Sequence, residues 1–287
     1  MSSEPRPAGA ISARGIAYTL GFVALVQVVA LYFTWVNAPV AAQSGASGSF
    51  APAGTSAAGS FSNAFILVLA VFATTLLAVW LIRNRRVRVF TSIVFLGTSL
   101  ALFLLTLLTA IDLTAAYLSE WDSLYASVAV AGGVVALFAL SNRRKRFLVL
   151  APVVTGLLSA EVGSYFASVI PLYTALILPM VFSVYDIYAV FAGPLRQLVT
   201  IAPTQVMTAV TSRLGEFSIG TGDTIFYSML PALALYKYSV PYALYTMAAV
   251  DAGVVVTLYL LSRSKLLPGL PIPMALGLGT LLLLMLR

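Results

Sequence analysis

Two aspartates stand inside runs of apolar residues: Asp186 in "SVYDIYAVFAG" and Asp223 in "GTGDTIFYSML". The chain contains no histidine and no cysteine. Serine–histidine catalysis, HExxH zinc binding and thiolate chemistry are therefore closed to it, and neither a cofactor nor a metal site is expected. Reaction chemistry has to come from Asp, Glu, Lys, Arg, Ser, Thr or Tyr. Of the nine acidic residues, Glu4 and Glu216 fall in polar segments, and Asp112, Glu120 and Asp122 cluster at one junction. Glu161, Asp186, Asp223 and Asp251 lie within apolar runs. A charge at mid-bilayer costs at least about 2.5–3.5 kcal/mol, so each of these four calls for a role.

The elements that must carry these acids are membrane helices. The 287 residues are 61% hydrophobic and 9% charged, whereas a soluble domain is about one quarter charged. A spanning helix needs about 20 apolar residues. Nine spans are expected, near 15–36, 61–82, 89–111, 121–141, 147–168, 171–192, 220–237, 240–261 and 269–286. The fold class expected is an all-α polytopic membrane protein. One integrated membrane domain is read as a six-helix part (1–192), a cytoplasmic loop (193–219) and a three-helix part (220–287).

The net charge of +7 does not indicate nucleic acid. Fourteen of the sixteen basic residues fall in alternate connections, among them Arg83, Arg85, Arg86 and Arg88, and Arg143, Arg144, Lys145 and Arg146. Only Lys237 and Arg287 fall on the other side. Positive charge marks the cytoplasmic face, so the N-terminus is expected inside and the C-terminus outside, in a multi-pass protein of the cell membrane. The first run is read as a retained signal-anchor helix. The segment "NAPVAAQSGASGSFAPAGTSAAGSFSN" is expected to be a flexible external loop without a core. Residues 193–219 are expected to be cytoplasmic and partly interfacial helix.

Depth sorts the acids. Asp186 lies shortly before the cytoplasmic end of span six, and Asp223 shortly after the cytoplasmic start of span seven. At about 1.5 Å per residue, both sit within roughly 10 Å of the boundary. Consecutive spans are usually neighbours, so the two carboxylates can face each other. Such a pair suits aspartyl proteolysis. Like charges a few ångströms apart do not both ionise, so the pair holds one proton. The ionised member takes a proton from water, and the protonated member hydrogen-bonds the peptide carbonyl under attack. Gly220 and Gly222 either clear room for a substrate backbone or break the helix at the membrane surface. Tyr185 either bonds the aspartates or packs in the bundle. Asp251 and Glu161 match neither depth. The alternative function is an ion channel or proton-coupled transporter using the intramembrane acids; no internal repeat supports it.

Three segments resemble one family. "SVYDIYAVFAGPLRQLV" (183–199) resembles the sixth-helix segment of presenilins, and "GTGDTIFYSML" (220–230) the GxGD segment of their seventh. "LPGLPIPMALGLG" (267–279) resembles the region of the PAL motif before helix nine, with Gly269 in place of the family's alanine. A literal PAL at Pro231–Leu233 is read as coincidence. So is "GASG" (45–48), since no histidine is present to activate Ser47. The resemblance is to the intramembrane aspartyl proteases, the presenilins and signal peptide peptidases, in a compact prokaryotic, archaeal-type form that works unclipped. It implies a nine-helix presenilin-like fold with Asp186 and Asp223 as the catalytic dyad. It also implies that Pro268, Gly269, Leu270 and Pro271 border the active site and help hold an extended substrate. Tyr185, Gly220 and Gly222 join them as candidate substrate-binding residues. The partners implied are transmembrane helical proteins or peptides and the lipid bilayer, for a chain that can act without partner subunits and can form oligomers.

Overall fold

The computed structural model describes residues 13–43, 50–115, 117–143, 150–191, 211–214, 217–263 and 267–286. Within them the chain is almost wholly helical: α1 (Ala13–Gln43), α2 (Ala57–Arg83), α3 (Val87–Thr114), α4 (Glu120–Arg143), α5 (Ala151–Val169), α6 (Leu172–Phe191), α7 (Thr221–Lys237), α8 (Val240–Leu261) and α9 (Pro271–Met285). Six of these, α1 to α4, α6 and α8, are long and apolar enough to cross a hydrocarbon core. The other three run 19, 17 and 15 residues. The protein is a multi-pass membrane protein. The fold is all-helical apart from β1 (Thr211–Leu214) and β2 (Phe217–Gly220), which pair antiparallel with Thr211 opposite Gly220.

Local sequence sets the helix ends. Ser56 caps α2 through its side chain, accepting from the Gly59 amide at 3.1 Å. Pro152, Pro241 and Pro271 stand in the first turns of α5, α8 and α9, where a missing N–H costs nothing. Arg85 takes a left-handed conformation, φ 57°, in the tight turn between α2 and α3.

One expectation is corrected. Outside residues 44–49, the Gly/Ser/Ala-rich segment between the first two spans is not a free loop. Helix α1 runs on through Pro39 to Gln43, and α2 begins at Ala57. Between them Phe50 N–H donates to the Val169 carbonyl at 3.2 Å, and the Asn63 side chain accepts from Ala53 N–H and donates to the Gly54 carbonyl. Alanine-rich sequence is helix-forming, and one buried asparagine suffices to pin the turn. Within the expected cytoplasmic segment, residues 211–214 and 217–220 form the two paired strands. The expectations for residues 192–210 and for "GASG" lie outside the described residues.

Helix α7 forms the centre, packed by α1, α5, α8 and α9. Helices α3 and α4 pair on the outside against α1 and α5, and α2 pairs with α6. Large apolar side chains such as Leu25, Leu96, Leu100 and Leu283 point outward, whereas Gln27, Thr34, Ser159, Glu161, Ser164 and Ser228 are buried. This arrangement suits a solvent of lipid: leucine gains little by leaving it, and small or polar residues let helices approach and bond. Gly163 makes the α5–α7 contact, its missing Cβ replaced by the Ser228 hydroxyl. Gly253 does the same for α8 and α9, with Pro273 occupying the space.

Candidate active site

Asp223 sits in the first turn of α7, next to its N-cap Gly220. The Gly220 amide lies at the Asp223 carboxylate. A Cβ on Gly220 would meet Asp223 Oδ2 at 3.2 Å, so a side chain there would press on the acid itself. Gly222 has nothing within 4 Å of its Cβ direction, which leaves open space beside Asp223. Asp186 sits in the last two turns of α6. The two carboxylates are close enough to interact electrostatically.

The sequence expectation that α6 and α7 lie side by side needs adjustment. Helix α6 packs mainly on α2 and α9. It meets α7 at the ring pair Phe182 and Phe226, with centroids 4.7 Å apart. Phe182 is one turn before Asp186 and Phe226 about one turn after Asp223, so this pair sets the aspartates at one level.

Between them lies the turn before α9. The Leu270 N–H donates to Asp186 Oδ2 at 3.0 Å. The Gly269 amide also faces Asp186. A Cβ on Gly269 would fall 2.5 Å from Asp223 Oδ2 and 3.0 Å from its Cγ. The glycine that departs from the resembled motif therefore admits the Asp223 carboxylate to the backbone of the turn. Pro268 is buried, and Pro271 opens α9. Of the residues expected from sequence, Asp186, Asp223, Gly220, Gly269 and Leu270 converge, with Pro268 and Pro271 flanking them.

Tyr185 does not join them through its hydroxyl. That group donates to Thr75 Oγ1 of α2 at 3.2 Å, and its ring packs edge-on against Phe72 and Phe182. Its packing alternative is the one observed. Tyr227 was missed. It is 3% exposed, one helical turn beyond Asp223, and its hydroxyl donates to the Gly269 carbonyl at 2.8 Å. The i,i+4 spacing from Asp223 is the signal that could have found it. The literal PAL at Pro231–Leu233 is buried within α7 and serves packing. Asp251 lies near Gln27, whose side-chain amide donates to the Tyr227 carbonyl at 3.2 Å.

A groove of about 310 Å³ opens beside the site between α6 and α9, lined by Met180, Ser183, Pro271, Met274, Leu278 and Leu282. Ser183 lies one turn before Asp186 and Pro271 adjoins Leu270, so one end of the apolar groove comes within a turn of Asp186. Among the described residues no group of three His, Cys, Asp or Glu side chains is placed to hold a metal ion. The arrangement offers two carboxylates on one backbone turn that a tyrosine hydroxyl holds, a set able to activate water and polarise a carbonyl.

Comparison with known proteins follows the same line. A search of curated proteins gives no match. Two solved structures are similar in fold, each described as a presenilin family intramembrane aspartate protease. One, in space group C222, superposes with a TM-score of 0.63 at 23% identity, covering 95% of this chain and 99% of its own. The other, in space group P2, gives 0.62 at 21% identity over 92% and 97%. The family model described as Presenilin matches residues 19–209, a stretch that includes Asp186 and ends before Asp223. With about two thirds of its length matched by that model, the chain belongs to the presenilin family.

Proposed function

We propose that the protein is an intramembrane aspartyl protease that hydrolyses peptide bonds of transmembrane helices, with Asp186 and Asp223 as its dyad. The observation that carries this reading is the convergence of both carboxylates on one short backbone turn, Asp186 through the Leu270 amide and Asp223 against Gly269. In the reaction the ionised aspartate takes a proton from water while the oxygen attacks the scissile carbonyl carbon. The protonated aspartate hydrogen-bonds the carbonyl oxygen as it gains charge. Collapse of the tetrahedral species expels the amine, which leaves with a proton from the dyad. The dyad's ionisation is a property of the pair and is described by macroscopic steps.

The substrate helix reaches the dyad along the α6–α9 groove and unwinds where Gly222 leaves room. Its extended strand pairs with backbone groups of the Pro268–Pro271 turn, by the logic of strand addition. Irregular backbone is tolerated within a membrane where it lines such a cavity. The chain spans the cell membrane nine times, N-terminus inside, as one integrated domain whose 193–219 segment faces the cytoplasm. Substrates have an external N-terminus and are cut toward the cytoplasmic side. The chain acts without obligatory partner subunits.

The test is incubation of the purified protein with a transmembrane peptide in water enriched in oxygen-18, followed by mass spectrometry. New peptide termini are expected, with one heavy oxygen in the new carboxyl group and none in the amine fragment. Peptide that binds but stays intact would refute the reading and leave a binding protein built on a protease fold.

A further inference from the structure

A second polar centre lies away from the aspartates, where α1, α3 and α5 meet. Each helix contributes two polar residues spaced three apart, so that both lie on one face: Thr34 and Asn37 from α1, Thr106 and Thr109 from α3, Glu161 and Ser164 from α5. Each helix pair is joined by one bond between them. Thr106 donates to Glu161 Oε1 at 2.8 Å, Thr34 to Ser164 at 2.9 Å, and Asn37 Nδ2 to Thr109 at 3.4 Å. The three bonds close a ring around the junction. Glu161 is 3% exposed, and the four hydroxyl residues are buried with it.

Two acceptors of the ring are left over. Among the described residues, Glu161 Oε2 and Asn37 Oδ1 are buried without a hydrogen-bond partner. Both orphaned atoms are acceptors; the Thr106 proton goes to Glu161 Oε1, and the single Thr34 proton goes either to Ser164 or to the Ala30 carbonyl. A buried acceptor left unmatched carries a substantial penalty, larger for a carboxylate. The oxygens left over are a carboxylate, an amide carbonyl and hydroxyl lone pairs. That is the donor set of a hard cation. A single carboxylate balances a single positive charge, and a divalent ion would leave net charge in the membrane interior.

We propose that the α1–α3–α5 junction binds a monovalent cation of sodium size, with Glu161 as its charged ligand and the Asn37 carbonyl and ring hydroxyls completing the shell. The ion ties α3, on the outside, to α1 and α5, the two of these helices that pack on α7. It is a structural and regulatory site, distinct from the aspartate pair.

The test uses the full chain in detergent and thermal unfolding in sodium chloride or choline chloride at equal ionic strength. Sodium is expected to raise the Tm by several degrees in a saturable manner, and Glu161→Gln, which keeps the acceptor for Thr106, is expected to abolish the difference. Wild-type protein should also broaden the sodium-23 resonance. Equal Tm values in both salts would overturn the proposal and leave a bound water or a protonated Glu161. So would a sodium response that survives in Glu161→Gln. If Glu161→Gln does not fold, Thr106→Val serves: its sodium midpoint should rise about tenfold, and an unshifted midpoint counts against the site.

Discussion

At the scale of single residues, the turn before α9 is held by side chains that do no chemistry of their own. The Tyr227 hydroxyl fixes the Gly269 carbonyl, and through it the amides that face Asp186. Removing that bond in Tyr227→Phe is worth about 0.5–1.5 kcal/mol. The expected result is a fall in kcat of roughly two- to tenfold with the peptide KM little changed, read from cleavage rates over a range of peptide concentrations. Gly269→Ala is a sharper perturbation. Its methyl group would occupy the place of the Asp223 carboxylate, and a displacement of about 1 Å at a reacting group can cost as much as 100-fold. A slowed variant with an unchanged Tm is expected; cleavage at the wild-type rate would mean that Asp223 does not work from this position. The aspartates themselves were legible in sequence because a carboxylate in an apolar run is costly and therefore conspicuous. The Leu270 amide was not, since every residue carries one, and Tyr227 was hidden because a tyrosine in such a run is ordinary packing material.

At the scale of elements, α9 is the part that brings the turn to the aspartates. Its seat is made by small residues, with Gly253 of α8 against Pro273 and Gly277 against Val250 and Leu230. Gly253→Leu is expected to push α9 outward, lowering both Tm and cleavage, since overpacking costs about 1–3 kcal/mol. Gly279 stands beside the α6–α9 groove with nothing near its Cβ direction. Gly279→Leu should therefore leave Tm unchanged and raise the KM for a transmembrane peptide, by partly filling the groove. Measuring both variants separates damage to the seat from obstruction of the groove. The positions of the six long apolar helices were legible because hydrophobic length is a strong signal, and α8 falls on its expected residues, 240–261. The hairpin was not, because its two four-residue strands are too short for an alternating pattern to stand out. Nor was the partnership of α6 with α2 and α9, which chain order alone does not specify.

At the scale of the whole molecule, orientation rests on the arginine clusters and the architecture on packing. The chain lacks cysteine, so single cysteines can be introduced without background. A membrane-impermeant maleimide applied to intact cells should label Ser47→Cys and leave Ser264→Cys unlabelled until the cells are opened; the reverse pattern would invert the proposed topology. Composition was enough to expect a helical membrane bundle, and three short motifs were enough to expect the family. What composition could not supply is which helices enclose which: α7 at the centre, α3 and α4 outside, and a closed polar ring at the α1–α3–α5 junction. The central claim is that Asp186 and Asp223 act as one unit on one water. Its most direct test is the rate of transmembrane-peptide cleavage by Asp186→Asn, Asp223→Asn and the double variant, with folding checked by Tm. The account predicts that each single variant falls to the background rate and that the double variant falls no further. Near-wild-type cleavage by either single variant, or losses that multiply in the double variant, would contradict it.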